Sequence, residues 1–549
     1  MKHFHSLTLA AAAACCLAIT SPAQGAASRV TVEAPAGVAS GTLEAGVNVF
    51  KGLPYALPPV GAARWTPTRP MPRWSGDRDA SAFGPACVQN KSGPWNIYAN
   101  DPKAMSEDCL TLNIWTPANA AKAPVMVWIH GGSLAAGYSH EAIYDGAKMA
   151  EQGIVVVSIN YRVGVLGYLA HPGLSAESPL EISGNYGLLD QIEALRWVQR
   201  NIAAFGGDPS NVTIAGESAG GLSVMYLMAA PAARGLFAKA IAQSAYMVTT
   251  PELKQSRFGL TPAEANGTAL AAKLEAPDVA ALRAMDAARL TKAAAAAGFA
   301  PFGVIDGQIL PRQLAEVFDR GEQAPVPILA GFNSGEIRSL RFLAPPTPAL
   351  SATYEKAIRD RYGDLAEDYL RLYPSRDMDS SILASTRDAI YGWTAERLVR
   401  KQAALGQPSF YYIFDHGFPA ADEAGLHAFH GSELPYVFGT LSRTPPFWPK
   451  APRTPAEARL SDAMVGYWTS FMHTGQPQAA DAPDWAPYGS QRVFMAFQDG
   501  PRLSVNLFPG MYELHEAVVC RRRARGDLAW NWNVGIISPP LPEQTPACR

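Results

Sequence analysis

A serine flanked by glycines lies near the middle of the chain, in the pentapeptide Gly216-Glu217-Ser218-Ala219-Gly220. A β-branched run, 212–215, precedes it, and the helix-like segment 222–230 follows it. A serine on a tight strand-to-helix turn is presented for attack on a carbonyl carbon, and small flanking residues leave room for that turn. The free N–H groups at the start of the helix face the oxyanion that such an attack creates. The pattern therefore predicts that Ser218 is a nucleophile.

An activated serine requires a base, and the base requires a group that orients it. In folds that use this turn the acid and then the histidine follow the serine, which leaves five histidines as candidates. His430 lies in a loop-like stretch after the strand-like run 410–414, and His427 is a fair rival that spacing alone does not exclude. Glu336 lies just past the strand-like run 327–331, at the carboxyl end of a predicted parallel strand, where such folds place catalytic side chains. Glu336 is therefore a candidate for the acid, with a solvated surface charge as the alternative, and the histidine stays open between His430 and His427.

A second glycine-rich turn could supply the oxyanion donors. The strand-like run 125–129 leads directly into His130-Gly131-Gly132-Ser133-Leu134. Glycines allow the backbone to turn sharply and bring its N–H groups to a substrate carbonyl oxygen. We assign the oxyanion hole to the N–H groups of Gly132, Ser133 and Ala219, each worth about 3 kcal/mol of transition-state stabilisation.

These residues must be positioned by a scaffold of alternating strands and helices. The clearest helical pattern covers 189–204, and an Ala-rich helical segment at about 261–298 is interpreted as an insertion over the sheet edge. Strands that alternate with helices predict an α/β fold with a mostly parallel sheet covered on both faces. The strand-like runs are 110–115, 125–129, 154–159, 212–215, 327–331 and 410–414.

Composition excludes several classes of protein. The chain has 549 residues, with Lys+Arg 46 against Asp+Glu 48, so it lacks the basic excess of a nucleic-acid-binding protein. The basic run 521–525 is interpreted as a solvated surface, with an anion-binding patch as the alternative. We expect no metal site, because neither a CxxC nor an HExxH pattern occurs.

The N-terminus has the features of a secretory signal. Lys2 precedes the uncharged apolar run 7–19, and small residues follow at 21–26, which predicts a signal peptide over 1–25 and a single domain over 26–549. A lipoprotein cleavage site at Cys15 is the less favoured alternative. No later run reaches the roughly 18 apolar residues of a membrane helix, so we expect an exported protein, periplasmic or secreted.

Four cysteines remain after the predicted signal is removed, namely Cys87, Cys109, Cys520 and Cys548. They permit three pairings, and we favour the sequential one, which closes two short loops. Free buried thiols are the alternative, and an oxidising compartment argues against them.

Several stretches together resemble the type-B carboxylesterase family, the cholinesterase-like branch of the α/β-hydrolases. The resemblance covers most of the mature chain and is more specific than any single motif. It is carried by residues 50–56 with 58–61, 106–113, 130–132, 205–221 and 430–434.

The resemblance implies an α/β-hydrolase fold and assigns Ser218 as nucleophile, Glu336 as acid and His430 as base. It also implies a Cys87–Cys109 disulfide and no cofactor. The chain departs from the family pattern at Ser133, where a third glycine is usual, although a serine N–H still donates. Neither Trp95 nor Tyr98 occupies the position of the choline-binding tryptophan of cholinesterases.

The expected function is that of a secreted serine carboxylesterase acting on small-molecule esters. A specialised hydrolase of an amide, carbamate, lactone or bulky ester is the alternative, because pocket walls rather than the fold set specificity. A catalytically silent binding protein is a further, less favoured alternative. The sequence does not predict an oligomeric state.

Overall fold

A computed structural model describes residues 28–93, 96–531 and 533–548. The predicted signal peptide and Trp95 lie outside these described residues.

Fifteen strands occur in the described residues, and thirteen of them form one sheet. In that sheet the order is β1-β2-β3-β7-β9-β8-β10-β11-β12-β13-β14-β15, with β4 beside β2, and β5 and β6 pair separately. The strands are β1 Ser28–Ala34, β2 Gly37–Glu44, β3 Val47–Pro54, β4 Asp77–Asp79, β5 Ala86–Cys87, β6 Met105–Ser106, β7 Thr111–Pro117, β8 Ala123–Ile129, β9 Val155–Ile159, β10 Gly207–Glu217, β11 Lys239–Gln243, β12 Ile328–Asn333, β13 Ser409–Phe414, β14 Val493–Phe497 and β15 Pro501–Val505.

The centre of the large sheet is parallel and its edges are antiparallel. Seven neighbouring strands pair in parallel, in the order β9-β8-β10-β11-β12-β13-β14. Antiparallel strands extend the sheet on both sides. This topology confirms the predicted α/β-hydrolase fold with a mostly parallel sheet.

Eighteen α-helices accompany the strands in the described residues. They are α1 Ala147–Glu151, α2 Gly164–Tyr168, α3 Pro172–Glu177, α4 Tyr186–Asn201, α5 Ala219–Ala229, α6 Ala263–Lys273, α7 Val279–Ala284, α8 Ala287–Ala296, α9 Leu314–Asp319, α10 Glu336–Ser339, α11 Ser351–Tyr362, α12 Ala366–Leu372, α13 Met378–Arg387, α14 Trp393–Ala404, α15 Pro419–Glu423, α16 Leu434–Val437, α17 Pro455–Thr474 and α18 Met511–Arg525.

The sheet is covered on both faces, as predicted. Side chains of β8 alternate, so that Val127 and Ile129 join a core with helices α4 and α5. Met126 and Trp128 join a separate core with α17 on the opposite face. Each face therefore buries a continuous apolar layer beneath helices.

Three helices, α6 to α8, fill the segment predicted to be a helical insertion. Leu270, Leu282 and Leu290 from these helices form a small apolar core with Leu174 and Tyr186. The helices span 263–296, within the expected 261–298. The division of the chain into domains stays a prediction.

The basic run 521–525 is a solvated surface only at its C-terminal end, where the Arg525 side chain is 52% exposed. Arg521 and Arg522 are 3% and 1% exposed. Arg521 makes a bidentate ion pair with Asp364, at 2.6 Å for both bonds, and Arg523 pairs with Asp319. The expectation is wrong here because α18 packs against other elements, which supply acidic partners from distant positions in the chain.

The structure joins Cys87 to Cys109 and Cys520 to Cys548. Each of these disulfides closes a short loop, as the sequential pairing requires. Across the described ranges, no helix combines the length and apolar character that crossing a membrane demands.

Candidate active site

Ser218 occupies the turn between β10 and α5. Its φ of 57° and ψ of −121° lie in a region that non-glycine residues seldom adopt. The Ser218 N–H donates to Gln243 O at 3.0 Å, which ties the turn to the end of β11. Strain held by neighbouring strands is typical of a nucleophile turn.

The glycines around Ser218 are required by close packing. A Cβ at Gly216 would lie 2.5 Å from the carbonyl carbon of Gly220. A Cβ at Gly220 would clash with the carbonyl oxygen of Ile129, the last residue of β8. The turn therefore sits directly against the end of β8, where the second glycine-rich loop begins.

That second loop lies beside Ser218. A Cβ at Gly131 would be 3.3 Å from Ser218 Cβ. Gly132 and Ser133 have φ values of 102° and 56°, so both adopt left-handed backbone conformations. Among the described residues, none accepts a hydrogen bond from the N–H groups of Gly132, Ser133 or Ala219. The loop that carries Gly132 and Ser133 thus lies beside the Ser218 turn, and the three predicted donors keep their N–H groups available.

Glu336 is fixed at the start of α10 and is fully buried. Its Oε1 accepts hydrogen bonds from Ser244 Oγ at 2.6 Å and from the Asn333 N–H at 2.8 Å. Its Oε2 hydrogen-bonds to Nδ1 of His430. A carboxylate held by two other partners can in turn hold an imidazole in one orientation.

His427, the rival candidate, lies elsewhere. Its side chain is 34% exposed and forms ion-pair contacts with Asp415 at 3.3 Å and Asp422 at 2.7 Å. Hydrogen bonds to Asp415, followed by those to Asp422, raise the pKa of His427. The geometry thus pairs His430, and not His427, with Glu336.

Glu217 makes the contact that the sequence did not reveal. Its Oε1 lies 3.1 Å from His430 Nε2. Within the described chain, His430 Nε2 and Ser218 Oγ are not joined by a hydrogen bond. Such bonds are often long in free enzymes and tighten when substrate binds. From the family resemblance, Glu217 is expected to affect the electrostatics of the site and is not assigned as a second catalytic acid.

The electrostatics of the site are dominated by buried carboxylates around one imidazole. Burial raises the pKa of Glu217 to about 8. Burial also raises the pKa of Glu433 to about 7, although Asn333 and Gln243 donate hydrogen bonds to its carboxylate at 2.6 and 3.0 Å. Burial alone would lower the pKa of His430, but Glu217 and Glu336 raise it above its ordinary value.

An aromatic side chain also faces the imidazole. The Tyr391 ring centroid is 5.4 Å from that of His430. Tyr391 lies in a π-helical turn, Asp388–Gly392, between α13 and α14. Such turns often occur at functional sites, but no signal in the sequence marks this one.

A cavity of about 710 Å³ lies between the α6–α8 region and the segment 248–251. Its lining is mostly apolar and includes Tyr168, Val248 and Phe299. None of the predicted catalytic residues lines it. In the part of the chain that the structure describes, no cluster of three His, Cys, Asp or Glu side chains could hold a metal ion.

Comparison with known proteins finds similarity to esterases along most of the chain. The family model described as "Carboxylesterase family" matches residues 28–508. Fumonisin B1 esterase from Sphingopyxis macrogoltabida is 36% identical over 472 residues, which cover 83% of this chain and 84% of the relative. Para-nitrobenzyl esterase from Bacillus subtilis (strain 168) is 36% identical over 464 residues, covering 82% and 91%. A solved structure of a PNB esterase superposes with a TM-score of 0.76 at 33% identity, covering 88% of this chain and 99% of that one.

Proposed function

Because the chain belongs to the carboxylesterase family and is a carboxylic ester hydrolase, we propose that it works through Ser218, Glu336 and His430. The observation that carries this proposal is the pairing of His430 with the buried Glu336 beside the strained Ser218 turn. The three free N–H groups of Gly132, Ser133 and Ala219 support it independently.

In the proposed mechanism, Ser218 Oγ bonds to the ester carbonyl carbon while His430 Nε2 accepts the hydroxyl proton. The carbonyl electrons move onto oxygen, and the N–H groups of Gly132, Ser133 and Ala219 stabilise that oxyanion. The intermediate then expels the alcohol, which takes the proton from His430. Water then bonds to the acyl carbon and gives a proton to His430. The bond between that carbon and Ser218 Oγ breaks, Ser218 takes the proton back from His430, and the carboxylic acid leaves.

Glu336 orients the imidazole in this mechanism. With Nδ1–H donated to Glu336, His430 presents unprotonated Nε2 towards the nucleophile. The carboxylate also favours the imidazolium that forms in each half-reaction. Glu217 must give up its contact with Nε2 when the Ser218 hydroxyl engages.

We also propose that the protein is exported after removal of residues 1–25. The apolar run at 7–19 and two disulfides support this, because reducing compartments keep thiols unpaired. N-terminal sequencing of protein recovered outside the cytoplasm should begin close to residue 26.

The mechanism is tested with p-nitrophenyl esters from acetate to palmitate. Ser218→Ala should lower kcat by at least about 10⁴-fold, because no other group can form the acyl-enzyme. His430→Ala should cause a comparable loss, and His427→Ala, the matched control, should remain active. Full activity in Ser218→Ala would refute the proposed mechanism.

Two further substrates follow from the names of the relatives. The chain is 36% identical to proteins named for fumonisin B1 and for para-nitrobenzyl esters, so both compounds belong in the first assay. If no ester is turned over, labelling with a fluorophosphonate separates two cases. A labelled Ser218 indicates a specialised hydrolase, and an unlabelled one indicates a silent binding protein.

A further inference from the structure

The loop closed by the Cys87–Cys109 disulfide reaches the proposed catalytic histidine. Tyr98, within this loop, brings its hydroxyl to the backbone of His430, which lies 332 positions further along the chain. Asn100 anchors the same loop through a hydrogen bond to the half-buried Glu141 at 3.1 Å. A segment far from the triad in sequence therefore contacts the triad directly.

Two hydroxyl groups hold both backbone polar groups of His430. Tyr98 Oη lies 2.9 Å from the His430 carbonyl oxygen and 2.7 Å from Ser339 Oγ. The His430 N–H donates to Ser339 Oγ at 3.3 Å. The phenolic proton of Tyr98 faces two acceptors, the His430 carbonyl oxygen and Ser339 Oγ, while the Ser339 hydroxyl donates to the Glu336 carbonyl oxygen at 3.3 Å. We call Tyr98 Oη and Ser339 Oγ the hydroxyl clamp.

The clamp also connects the acid to the base. Ser339 is the last residue of α10, and that helix begins at Glu336. The Tyr98 ring meets the His430 ring edge-on at 6.3 Å and the Trp448 ring at 6.0 Å. Burial holds the pKa of Tyr98 well above its ordinary value, so its hydroxyl remains a donor.

His430 needs such restraint because of the residue that follows it. Gly431 has a φ of 78°, and a glycine in this conformation offers little resistance to backbone rotation. A small rotation there would carry the imidazole away from Glu336 and from the nucleophile. Misplacement by about 1 Å can cost on the order of 100-fold in rate.

We propose that Tyr98 and Ser339 are positioning residues that hold the His430 backbone, so that its imidazole stays aligned between Glu336 and Ser218. This inference rests on the proposed function. Neither hydroxyl has a reacting atom as a partner, so both act through His430.

The test removes one oxygen atom. Tyr98→Phe keeps the aromatic contacts and loses the hydrogen bond to His430. For p-nitrophenyl acetate we expect kcat to fall about tenfold while KM changes less than about twofold. Rates are normalised to active sites counted by fluorophosphonate titration, so that a misfolded fraction does not contribute.

Ser339 offers a second, independent variant. Ser339→Ala should lower kcat similarly, and Ser339→Thr, which retains a hydroxyl, should recover most of it. Tyr354→Phe is the matched control, because the buried Tyr354 donates to the backbone oxygen of Tyr373 at 2.8 Å, within a separate helical core. It should leave kcat unchanged.

The pH dependence separates positioning from general destabilisation. If the imidazole moves away from the carboxylates, the pKa of His430 falls, and the acidic limb of kcat/KM moves to lower pH. A merely destabilised enzyme loses rate at every pH without moving this limb. The ionisable groups that face His430 are Glu217, Glu336, Glu433, Tyr98 and Tyr391.

The outcomes are distinct. A Tyr98→Phe enzyme with kcat within twofold of wild type, or a lower kcat without a shifted limb, overturns the positioning role. An active His430→Ala enzyme overturns the proposed function itself. An inactive His430→Ala enzyme beside a fully active Tyr98→Phe enzyme overturns only the hydroxyl clamp.

Discussion

The side chain of Glu217 shows how strongly one neighbour can set the behaviour of the proposed base. Its carboxylate is 3.1 Å from the imidazole nitrogen that must accept the Ser218 proton. A carboxylate at this distance stabilises the imidazolium and raises the pKa of His430. The base is active only when neutral, so Glu217 shifts its working range to higher pH.

Replacement of Glu217 by glutamine should reverse this effect. Glu217→Gln removes a negative charge, the pKa of His430 falls, and the acidic limb of kcat/KM moves to lower pH. A pH–rate profile measures the shift, with the exposed Glu543→Gln as control. If the acidic limb of the kcat/KM profile stays in place or moves to higher pH, then Glu217 does not raise the pKa of His430.

Residues differ in how far the sequence alone could identify them. Ser218 is predictable because its motif is local and its flanking elements are strongly patterned. His430 could not be separated from His427 by spacing, and the family resemblance made that distinction. The contacts that Glu217 and Tyr98 make with His430 could not be predicted, because only the folded chain creates them.

At the scale of elements, the hydrophobic pattern of the sequence predicted the strands that are rich in β-branched and aromatic residues. The predicted runs coincide with β7, β8, β9, β10, β12 and β13 to within a few residues. Strand β11, with the sequence Lys-Ala-Ile-Ala-Gln, was missed because alanine gives little strand signal, although its partners on both sides bury it completely. The antiparallel edge strands were also missed.

The contact between α5 and β8 leads to a prediction at this scale. Gly220→Ala places a methyl group against the Ile129 carbonyl oxygen, so the helix must move away from the strand. We expect a loss of about 3 kcal/mol in unfolding free energy and a lower kcat, because the turn carries Ser218. Urea unfolding and ester hydrolysis measure the two effects.

Gly489→Ala is the matched control, since a Cβ there meets no atom within 4 Å. Its stability and activity should match those of wild type. Equal stabilities of the Gly220→Ala and wild-type proteins would show that α5 is not packed as tightly as described.

At the scale of the whole molecule, the fold collects the site from loops spread over most of the chain. The loop of the proposed oxyanion donors follows β8, the proposed nucleophile follows β10 and the proposed acid follows β12. These strands are parallel, so their carboxyl ends lie along one edge of the sheet. The motifs after the predicted strands placed Ser218, Glu336 and the glycine-rich loop at strand ends, and the family resemblance selected His430. Composition and periodicity alone predicted only the α/β class.

The two disulfides allow stability and activity to be separated. They span 22 and 28 residues, so each should contribute about 3.5 kcal/mol by restricting the unfolded chain. Serine replacement of both Cys520 and Cys548 should lower stability and leave kcat nearly unchanged. Serine replacement of both Cys87 and Cys109 should lower both, because that loop carries Tyr98.

Urea midpoints and kcat per titrated active site measure this contrast. Equal kcat values for the two double variants would mean that the Cys87–Cys109 loop holds its position without its disulfide.

The buried carboxylates around His430 also bear on how the reaction ends. Hydrolysis releases a carboxylic acid, which ionises as it forms beside Glu217, Glu336 and Glu433. Two like charges 4 Å apart repel by about 4 kcal/mol at the effective dielectric of a partly buried site. At alkaline pH, where Glu217 and Glu433 are ionised, this repulsion favours release of the product anion, and we expect acid products to inhibit weakly there.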